Sequence, residues 1–279
     1  MVRHPQVLIT GAGGQVGTAL RDFLPEGRFA TRADLDVTDA VSLREAAEGM
    51  QAIVHLAANT DVDGCEAHPE DARLVNSIGT KNVVEAARGS GARVIYVSTD
   101  FVFRGDLEHE YSEDDETGPL NVYGTTKLEG EHHLDPTIDL TVRSSWIFGA
   151  GRNFIATILL LARQGPLRVI HDQRGRPTSA TELARSLAFL LGTELAGTIH
   201  VAGDGKPTTW AELARTAVTA AELDAEVIEI DTATYGAEAN RLVAPRPPNS
   251  ALALDMARRL GVPLLDWQTS VTNYVGTII

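Results

Sequence analysis

The chain has 279 residues, which is enough for one large domain, or for a main domain with a smaller lobe, around a sizeable core. Its composition excludes the disordered, collagen-like and membrane-embedded classes, and the longest strongly apolar run, Phe154 to Ala162, is far shorter than the roughly 20 residues that cross a bilayer. The formal net charge of -14 argues against a nucleic-acid partner, because phosphates attract a basic surface.

The cysteine content and the first residues bear on the compartment. Cys65 is the only cysteine, so no disulfide forms within the chain, and a reducing cytoplasm is the expected location. The first five residues pass almost directly into an apolar strand pattern, so we expect no signal peptide. We therefore expect a cytoplasmic protein whose partners are neither a membrane nor a nucleic acid.

The first predicted strand, Val7–Thr10, leads directly into a glycine-rich turn and a helical pattern at residues 18–24. Gly11, Gly14 and Gly17 stand three residues apart, which lets the chain turn tightly, a pyrophosphate approach the backbone, and the helix pack on the sheet. The start of the helix then offers free N–H groups to phosphates. Glycines alone are also compatible with a flexible turn, but strand, glycines and helix in this order predict a dinucleotide site.

The second predicted strand, residues 28–31, should end beside the adenine ribose of the dinucleotide. An acid there would bind the 2′-hydroxyl of NAD, but this chain has Thr31 and Arg32, which suit a 2′-phosphate. NADPH is therefore favoured, with NADH as the alternative, and Arg32 as an ordinary surface arginine is the competing interpretation. Asp36 and Val37 would lie by the adenine.

Further strands are predicted at residues 52–56, 94–97 and 140–143, with helices at 40–48 and 69–88 between them. Such alternation predicts an α/β fold with a Rossmann-type doubly wound parallel sheet and right-handed crossovers. Ligands of these sheets bind at the carboxyl ends of the strands. Polar segments follow three of the strands at that edge: Ala57–Thr60, Ser98–Thr99 and Ser144–Trp146.

A helix predicted to begin near Asn121 carries Tyr123 and Lys127, four residues apart and hence on one face. A free phenol has a pKa of about 10, and an adjacent ammonium favours the phenolate. The pair therefore predicts a tyrosine with a lowered pKa that exchanges a proton with a carbonyl oxygen. The alternative is a solvated helix face, and the glycine-rich turn and Ser98–Thr99 favour the first interpretation.

Beyond Gly149 the pattern is less regular. The predicted elements are helices at 154–163, 181–191 and 210–223, strands at 167–170, 198–201 and 227–230, and a final helix from Leu265. We expect residues 1–145 to form the dinucleotide-binding domain, with residues 172–203 returning to its sheet. Residues 146–171 and 204–279 would form a smaller C-terminal α/β lobe that supplies substrate specificity.

The acidic stretch Glu108 to Glu116 is the segment that most resembles a metal site by composition. Its acids lack His or Cys partners at ligand spacing, so we expect a solvated loop instead. The neighbouring pair His132 and His133 is expected on an exposed helix surface. The sequence therefore predicts no metal site.

Several segments together carry a resemblance to a known family: Gly14-Gln-Val-Gly17, Ala57–Asp63, Ser98–Phe103, Pro119–Lys127, Arg143–Trp146, Asp172–Thr178 and Arg246–Ser250. The glycine-rich turn and the Tyr123/Lys127 segment are typical of the extended short-chain dehydrogenase/reductases. The Asp-Gln-x-Gly-x-Pro-Thr and Arg-Pro-x-Asn-Ser segments are more particular. On these motifs the chain resembles, nearly end to end, the dTDP-4-dehydrorhamnose reductase family.

The resemblance implies NADPH-dependent reduction of the 4-keto group of a dTDP-linked 4-keto-6-deoxyhexose. It implies that Thr99 holds the keto oxygen beside the Tyr123 hydroxyl, and that Tyr123 protonates the developing alkoxide. Lys127 is implied to bind the nicotinamide ribose and to lower the pKa of the tyrosine. Thr99, Tyr123 and Lys127 are thus the predicted catalytic residues.

The binding residues follow from the same motifs. Trp146 is implied to pack on the sugar, and Arg246 is our candidate for the nucleotide diphosphate, ahead of Arg174 and Arg176, with a surface ion pair as the alternative for each arginine. The predicted cofactor-binding residues are Gly11, Gly14, Gln15, Val16, Gly17, Thr31, Arg32, Asp36, Val37, Ala57, Ala58, Asn59, Thr60, Val97, Tyr123 and Lys127.

Two departures from the family pattern bear on metal and substrate. Some members dimerise through magnesium held by glutamates, one of them on the first helix, where this chain has Ala19. We therefore expect no such metal and leave the oligomeric state open, a homodimer included. Asp61 and Cys65 stand where the family usually has small apolar residues, which bears on the identity of the sugar more than on the reaction.

Two other functions compete with the implied one. The first is a ketoreductase for another nucleotide-linked deoxysugar of a secondary-metabolite pathway. The second is a non-catalytic regulatory subunit that keeps the dinucleotide pocket, as the regulatory subunit of methionine adenosyltransferase does within the family. The intact set of Thr99, Tyr123 and Lys127 favours an enzyme over a regulatory subunit.

Overall fold

The computed structural model describes residues 6–239 and 242–279. The strands are β1 (Val7–Thr10), β2 (Arg28–Ala30), β3 (Ala52–His55), β4 (Arg93–Thr99), β5 (Leu140–Ser144), β6 (Ile147–Phe148), β7 (Leu167–Ile170), β8 (Arg174–Gly175), β9 (Thr178–Ser179), β10 (Gly197–His200), β11 (Thr208–Thr209) and β12 (Val227–Ile230).

The helices are α1 (Gln15–Leu20), α2 (Ala40–Ala47), α3 (Val62–Ala67), α4 (Pro69–Arg73), α5 (Gly79–Ser90), α6 (Val122–Glu131), α7 (Phe154–Ala162), α8 (Ala180–Leu191), α9 (Trp210–Ala220), α10 (Thr232–Glu238), α11 (Asp255–Arg259) and α12 (Trp267–Ile278). A π-helical turn spans Leu74–Ile78 and a 3₁₀ turn spans Asp100–Val102. None of these helices combines the length and the apolar character that crossing a membrane requires.

Within the described residues, six parallel strands form the main sheet in the order β10-β5-β4-β3-β1-β2. Every residue of β1 and β3 is buried, as expected for strands that helices cover on both faces. The strand order reverses between β1 and β3, so a crevice at their carboxyl ends is the expected ligand position. The predicted α/β fold with a Rossmann-type parallel sheet is confirmed.

Helices cover the sheet on both faces. On one face α1 and α8 contribute Leu20, Leu183 and Leu187 to a core with the sheet strands. On the other face α2 and α5 contribute Leu43 and Val83. Two apolar layers therefore fix the sheet, and the loops that follow its strands remain at one edge.

The part of the chain beyond β6 adds a second, smaller set of elements. The parallel pair β7–β12 packs on α7 and α9 through Leu167 and Val169. Helices α7, α9 and α12 meet in an adjoining cluster around Ile155, Leu213 and Val271. β10 instead pairs with β5 at the edge of the main sheet, and α8 packs on α1. The chain therefore leaves the main sheet after β5, returns to it, and leaves it again.

The helix predicted over residues 69–88 is interrupted by the π-helical turn Leu74–Ile78. Asn76 in this turn is buried, and its side chain accepts a hydrogen bond from the Asn59 N–H at 2.7 Å and donates one to the Asn59 carbonyl at 3.1 Å. Turns of this type are frequent at functional sites. The periodicity of the sequence gives no signal for it, because the apolar pattern continues through the turn.

The acidic stretch Glu108 to Glu116 is a loop with exposed acids at Glu108, Asp114 and Glu116, as the sequence predicts, but it is also anchored to the rest of the chain. Tyr111 is 1% exposed and stacks on Phe103 with ring centroids 4.3 Å apart. Glu110 pairs with Arg176 at 2.7 Å, where the arginine side chain is 1% exposed. One aromatic anchor and one ion pair thus fix the stretch to the rest of the chain.

Arg176 joins three separate segments. Its guanidinium donates to the carbonyl oxygens of Leu252 at 2.7 Å, Gly203 at 3.2 Å and Gly205 at 2.5 Å, in addition to Glu110. A fully buried arginine with four protein acceptors is a structural group. The expectation that Arg176 contacts a diphosphate is therefore wrong.

Replacing Arg176 by alanine should lower the free energy of unfolding by about 3–5 kcal/mol, because the change leaves Glu110 and three carbonyls without their shared donor. Urea denaturation at neutral pH measures this difference. The matched control is Arg174→Ala, two residues away and exposed, which should change the same quantity by about 0.5 kcal/mol or less. Equal effects of the two changes would contradict the structural role of Arg176.

Candidate active site

The glycine-rich turn after β1 forms an open cradle of backbone, here called the phosphate cradle and comprising Gly11–Gly17. Gly11 has φ of +69°, and a Cβ there would lie 2.5 Å from the Ala57 nitrogen. Gly13 and Gly14 are exposed, so backbone rather than side chain faces outward at the turn. The cradle lies at the reversal of strand order, and it fits the pyrophosphate of a dinucleotide.

The first helix of the cradle begins at Gln15 rather than at residue 18, and it is short. The Gln15 amide donates to the Arg152 carbonyl at 3.4 Å, while its buried Oε1 has no hydrogen-bond partner among the described residues. Val16 is buried, and its side chain belongs to the core that α1 and α8 form with the sheet. Of these two predicted cofactor residues, Gln15 is the one whose side chain is polar and incompletely bonded.

At the end of β2, the groups predicted to bind a 2′-phosphate contact acidic side chains of the chain itself. Both the N–H and the hydroxyl of Thr31 donate to the Asp34 carboxylate, at 2.9 and 2.7 Å, and these bonds lower the pKa of Asp34. Arg32 is exposed and lies 3.8 Å from Asp36. The two donors and the cation predicted for a 2′-phosphate are thus shared with acids of the chain itself, while Val37 lies in the core.

The loop Ala57–Thr60 follows β3 directly above the cradle. Ala57, Ala58 and Asn59 are half-buried, and Thr60 is exposed. The Asn76 side chain binds the peptide of Asn59 on both its N–H and its carbonyl, so the loop has a fixed position. The pairing of β1 with β3 and the close packing of Gly11 on Ala57 bring this loop beside the cradle.

Helix α6 begins at a well-defined point. The Asn121 side chain accepts from the Gly124 N–H at 2.7 Å, and the Glu66 carboxylate accepts from the Val122 N–H at 2.7 Å. Asn121 also donates to the Pro245 carbonyl at 2.8 Å. The first turn of the helix is therefore held by α3 on one side and by the segment before Ser250 on the other. No sequence signal indicated Glu66, because its partner is a backbone group.

Lys127 is 3% exposed and has two identifiable contacts. Its ammonium donates to the Val97 carbonyl at 2.8 Å and lies 4.0 Å from the centroid of the Tyr96 ring. Burial lowers the pKa of Lys127 to about 7, and the nearby Glu131 carboxylate opposes this change. The predicted lysine is therefore a buried group that titrates near neutrality.

Tyr123 lies in the first turn of α6, with its ring edge-on to Phe101 at 5.9 Å. Burial raises its pKa above the ordinary value, as do Asp100 and Cys65, while a hydrogen bond with Thr99 lowers it. The tyrosine pKa is therefore raised, and not lowered as the sequence predicts, because desolvation outweighs the charges near the phenol.

Thr99 is the last residue of β4 and is 5% exposed. Its hydroxyl donates to Asp100 at 3.1 Å and accepts from the Phe101 N–H at 3.2 Å. Burial raises the pKa of Asp100 to about 7, and Ser250 donates to the same carboxyl. Asp100 and Ser250 both stand in segments quoted above, but only the fold shows that they meet behind Thr99.

The predicted substrate residues lie at the same edge of the sheet. Trp146 follows β5 and is half-buried, with φ of +45°. Arg246 lies 2.6 Å from Asp63, the residue after the start of α3, and donates to the Ala244 carbonyl. Arg174 is exposed. Within the two described ranges, no group of three or more His, Cys, Asp or Glu residues is arranged to hold a metal ion.

Known proteins are similar to this chain in both sequence and fold. The family model described as the RmlD substrate binding domain matches residues 5–278. A dTDP-4-dehydrorhamnose reductase of Mycolicibacterium smegmatis is 34% identical over 290 residues, covering 100% of this chain and 87% of the relative. One from Streptomyces griseus is 37% identical over 286 residues, covering 97% and 93%. The crystal structure of dTDP-4-dehydrorhamnose reductase from Bacillus anthracis in complex with NADP is 31% identical, with a TM-score of 0.91 over 98% of this chain and 99% of that one.

The buried Lys127 gives a test of the site by pH. Between the folded pKa of about 7 and the model-compound value of 10.5, the unfolded state retains a proton that the folded state has lost. The free energy of unfolding should therefore rise with pH over this range, by at most about 1.4 kcal/mol per pH unit relative to Lys127→Met. Urea denaturation of both proteins at about pH 6, 7.5 and 9 measures the difference.

The control for this measurement is Lys81→Met. Lys81 is more than half exposed and pairs with Glu85 on the surface of α5. Its replacement should leave the slope against pH as in the wild type. A Lys127→Met protein whose stability runs parallel to the wild type across these pH values would contradict the lowered lysine pKa.

Proposed function

The chain belongs to the RmlD substrate binding domain family, and from this membership and the site we propose that it is an NADPH-dependent oxidoreductase that converts dTDP-4-dehydrorhamnose to dTDP-L-rhamnose by reducing the 4-keto group. The observation that carries the proposal is the packing of α6 on β4: Lys127 donates to Val97 of this strand, Thr99 ends the strand, and Tyr123 stands one turn before Lys127. Because this chain and its relatives match over nearly their whole lengths, the proposal concerns the complete reaction.

The cofactor is held, in this proposal, by the phosphate cradle, Thr31, the loop Ala57–Thr60 and Lys127. When bound, NADPH supplies the hydride that reduces C4 of the sugar. The backbone of the cradle would hold the pyrophosphate, and the fixed loop after β3 would hold the adjoining part of the dinucleotide. The absence of side chains at the exposed glycines of the cradle lets the pyrophosphate approach the peptide N–H groups.

The keto oxygen lies between two hydroxyls of the chain. Thr99 turns its hydroxyl from Asp100 to the substrate and donates a hydrogen bond to the keto oxygen. Tyr123 transfers its phenolic proton to the same oxygen as negative charge develops there. The raised pKa keeps Tyr123 protonated at neutral pH, so the donor carries its proton before the reaction begins. An alkoxide is a far stronger base than a phenolate, so the proton transfer remains favourable.

Lys127 has two roles in this scheme. It binds the nicotinamide ribose, and its ammonium is stabilised when the phenolate forms nearby, because opposite charges favour each other in a buried site. A lysine with a pKa of about 7 responds strongly to such a change. The phenolate then regains a proton from solvent before the next turnover.

Residues 146–171 and 204–279 form the substrate lobe in this proposal, above the dinucleotide-binding part made by residues 1–145 and 172–203. Trp146 packs on the sugar, and Arg246 exchanges its contact with Asp63 for the nucleotide diphosphate. The exchange is reasonable because Arg246 is partly exposed and its acidic partner lies on the neighbouring α3. The absence of a membrane-crossing helix among the described residues and the single cysteine are compatible with a cytoplasmic enzyme.

A panel of dTDP-linked 4-keto sugars, with NADPH absorbance as the readout, tests the substrate directly. We expect turnover of dTDP-4-dehydrorhamnose and formation of dTDP-L-rhamnose. Turnover of a different sugar alone would reject rhamnose and keep the ketoreductase. NADPH binding without oxidation in the presence of every sugar would point to the regulatory function instead.

Tyr123→Phe should reduce kcat by about 10²–10⁴-fold, because the substituted ring fills the same space but has no proton to donate. The dissociation constant for NADPH should stay within about twofold of the wild type, since the phenol is only one of many cofactor contacts. Steady-state kinetics and NADPH fluorescence measure the two quantities. Near-normal turnover would exclude Tyr123 as the acid, and loss of NADPH binding would show a damaged site.

Asp34→Asn should raise kcat/KM with NADPH about three- to tenfold and leave kcat/KM with NADH nearly unchanged. The carboxylate holds both Thr31 donors and remains ionised at neutral pH, so it repels a 2′-phosphate at the end of β2. Asp22→Asn, an exposed acid that follows α1, is the control for a general loss of negative charge. Identical cofactor ratios for the wild type and Asp34→Asn would contradict this role of Asp34.

A further inference from the structure

Trp146 is held in an unusual backbone conformation by its surroundings. Its φ of +45° lies in the left-handed region, which a residue with a large side chain adopts only when neighbouring contacts fix it. One such contact is Trp210, whose ring lies parallel to that of Trp146 at an interplanar angle of 7° and a centroid distance of 3.7 Å. Another is Gly175, where an added Cβ would lie 2.4 Å from the Trp146 ring.

The orientation of Trp210 is itself fixed by hydrogen bonds. Its indole N–H donates to the Gln173 side-chain oxygen at 3.1 Å, and the Gln173 amide donates to the Thr232 hydroxyl at 3.0 Å. Thr232 in turn donates to Asp172 through both its N–H and its hydroxyl. The Phe154 ring also packs against the Trp210 ring, with ring centroids 4.6 Å apart. The indole N–H of Trp210 and the Gln173 side chain that binds it are therefore both held by hydrogen bonds.

These contacts give a physical reason for the Asp172-Gln-x-Gly-x-Pro-Thr178 segment, which the mechanism above leaves without a role. Gln173 orients Trp210, and Gly175 leaves room for Trp146, so two positions of the segment act on the same pair of rings. Both rings are half-buried, so part of the stack faces outward. Because Trp210 covers one face of the Trp146 ring, a ligand can contact Trp146 only on the part of the ring that Trp210 leaves uncovered.

We propose that Trp210 is a positioning residue for the sugar: by stacking on Trp146 and bonding to Gln173, it fixes the plane against which the hexose of the dTDP-sugar packs. The inference rests on the proposed function, because it takes Trp146 as the sugar contact. The inference adds that breaking the stack of Trp146 and Trp210 weakens the binding of the sugar, while the nucleotide and NADPH bind as before. A purely structural stack would weaken all three ligands together.

The experiment measures dissociation constants by calorimetry for dTDP-L-rhamnose, for dTDP alone and for NADPH. For Trp210→Leu we expect dTDP-L-rhamnose to bind at least tenfold more weakly, while the constants for dTDP and NADPH change less than twofold. Trp210→Phe, which keeps an aromatic ring but loses the bond to Gln173, should recover most of the sugar affinity. Gln173→Leu should lie between the wild type and Trp210→Leu.

A spectroscopic signal reports whether the stack exists. Parallel indoles at this distance couple, so the near-ultraviolet circular dichroism of the wild type should contain a paired band that disappears in both Trp146→Phe and Trp210→Phe. The control is Trp267→Phe: Trp267 is 5% exposed and donates to the Lys206 carbonyl, and no ring stacking joins it to Trp146. Trp267→Phe should keep the paired band. It should also keep the wild-type difference between the dissociation constants of dTDP-L-rhamnose and dTDP.

The outcomes separate this inference from the proposed function. If folded Trp210→Leu binds dTDP-L-rhamnose within twofold of the wild type, or loses all three ligands to the same degree, the positioning role is overturned. If Trp146→Ala also leaves sugar affinity unchanged, the sugar contact itself is rejected. If the wild type binds dTDP-L-rhamnose but oxidises no NADPH with any sugar, the proposed function fails, and the affinities still decide the role of Trp210. If the wild type does not bind the sugar nucleotide, both are overturned.

Discussion

Helix α6 lies directly against the carboxyl end of β4, and the rest of the proposed site depends on this contact. A Cβ on Gly124 would lie 2.2 Å from the Phe101 carbonyl oxygen, so no other residue type allows the helix to approach as closely. One turn further on, Lys127 donates to the carbonyl of Val97 and covers the Tyr96 ring. The approach places the Tyr123 ring against Phe101, two residues beyond Thr99, with ring centroids 5.9 Å apart. Without it, two hydroxyls from distant parts of the sequence would not share one ligand oxygen.

Desolvation, more than any single charge, determines the electrostatics around this contact. Burial lowers the pKa of Lys127 to about 7, raises that of Asp100 to about 7 and raises that of Tyr123. Near neutrality, Lys127 and Asp100 are therefore each only partly charged, while Tyr123 keeps its proton. In such buried surroundings a developing negative charge interacts strongly with nearby dipoles and charges. At the end of β2, by contrast, the Asp34 carboxylate is ionised and accepts two hydrogen bonds from Thr31, so a negative charge stands in the proposed cofactor site.

The sequence predicted the sheet and the strand ends well because local chemistry determines both. Apolar runs predicted β1, β3, β4 and β5, and the strand-glycine-helix order placed the cradle. It did not predict the π-helical turn around Asn76, because that turn depends on the peptide of Asn59 across the sheet. Nor did it predict the burial that raises the pKa of Tyr123, the ion pair of Arg176 with Glu110, or the stacking of Trp210 on Trp146. Each of these depends on contacts between segments far apart in the chain, which spacing alone does not encode.

Transfer of deuterium from NADPH labelled at its reactive carbon tests the central claim most directly. The purified protein is incubated with the labelled cofactor and dTDP-4-dehydrorhamnose, and the product is analysed by NMR. The account predicts deuterium at C4 of dTDP-L-rhamnose, because the ketone carbon and the reduced ring meet beside Thr99 and Tyr123. A product that carries no deuterium at C4, or a sugar recovered unchanged while NADPH is bound, would contradict it.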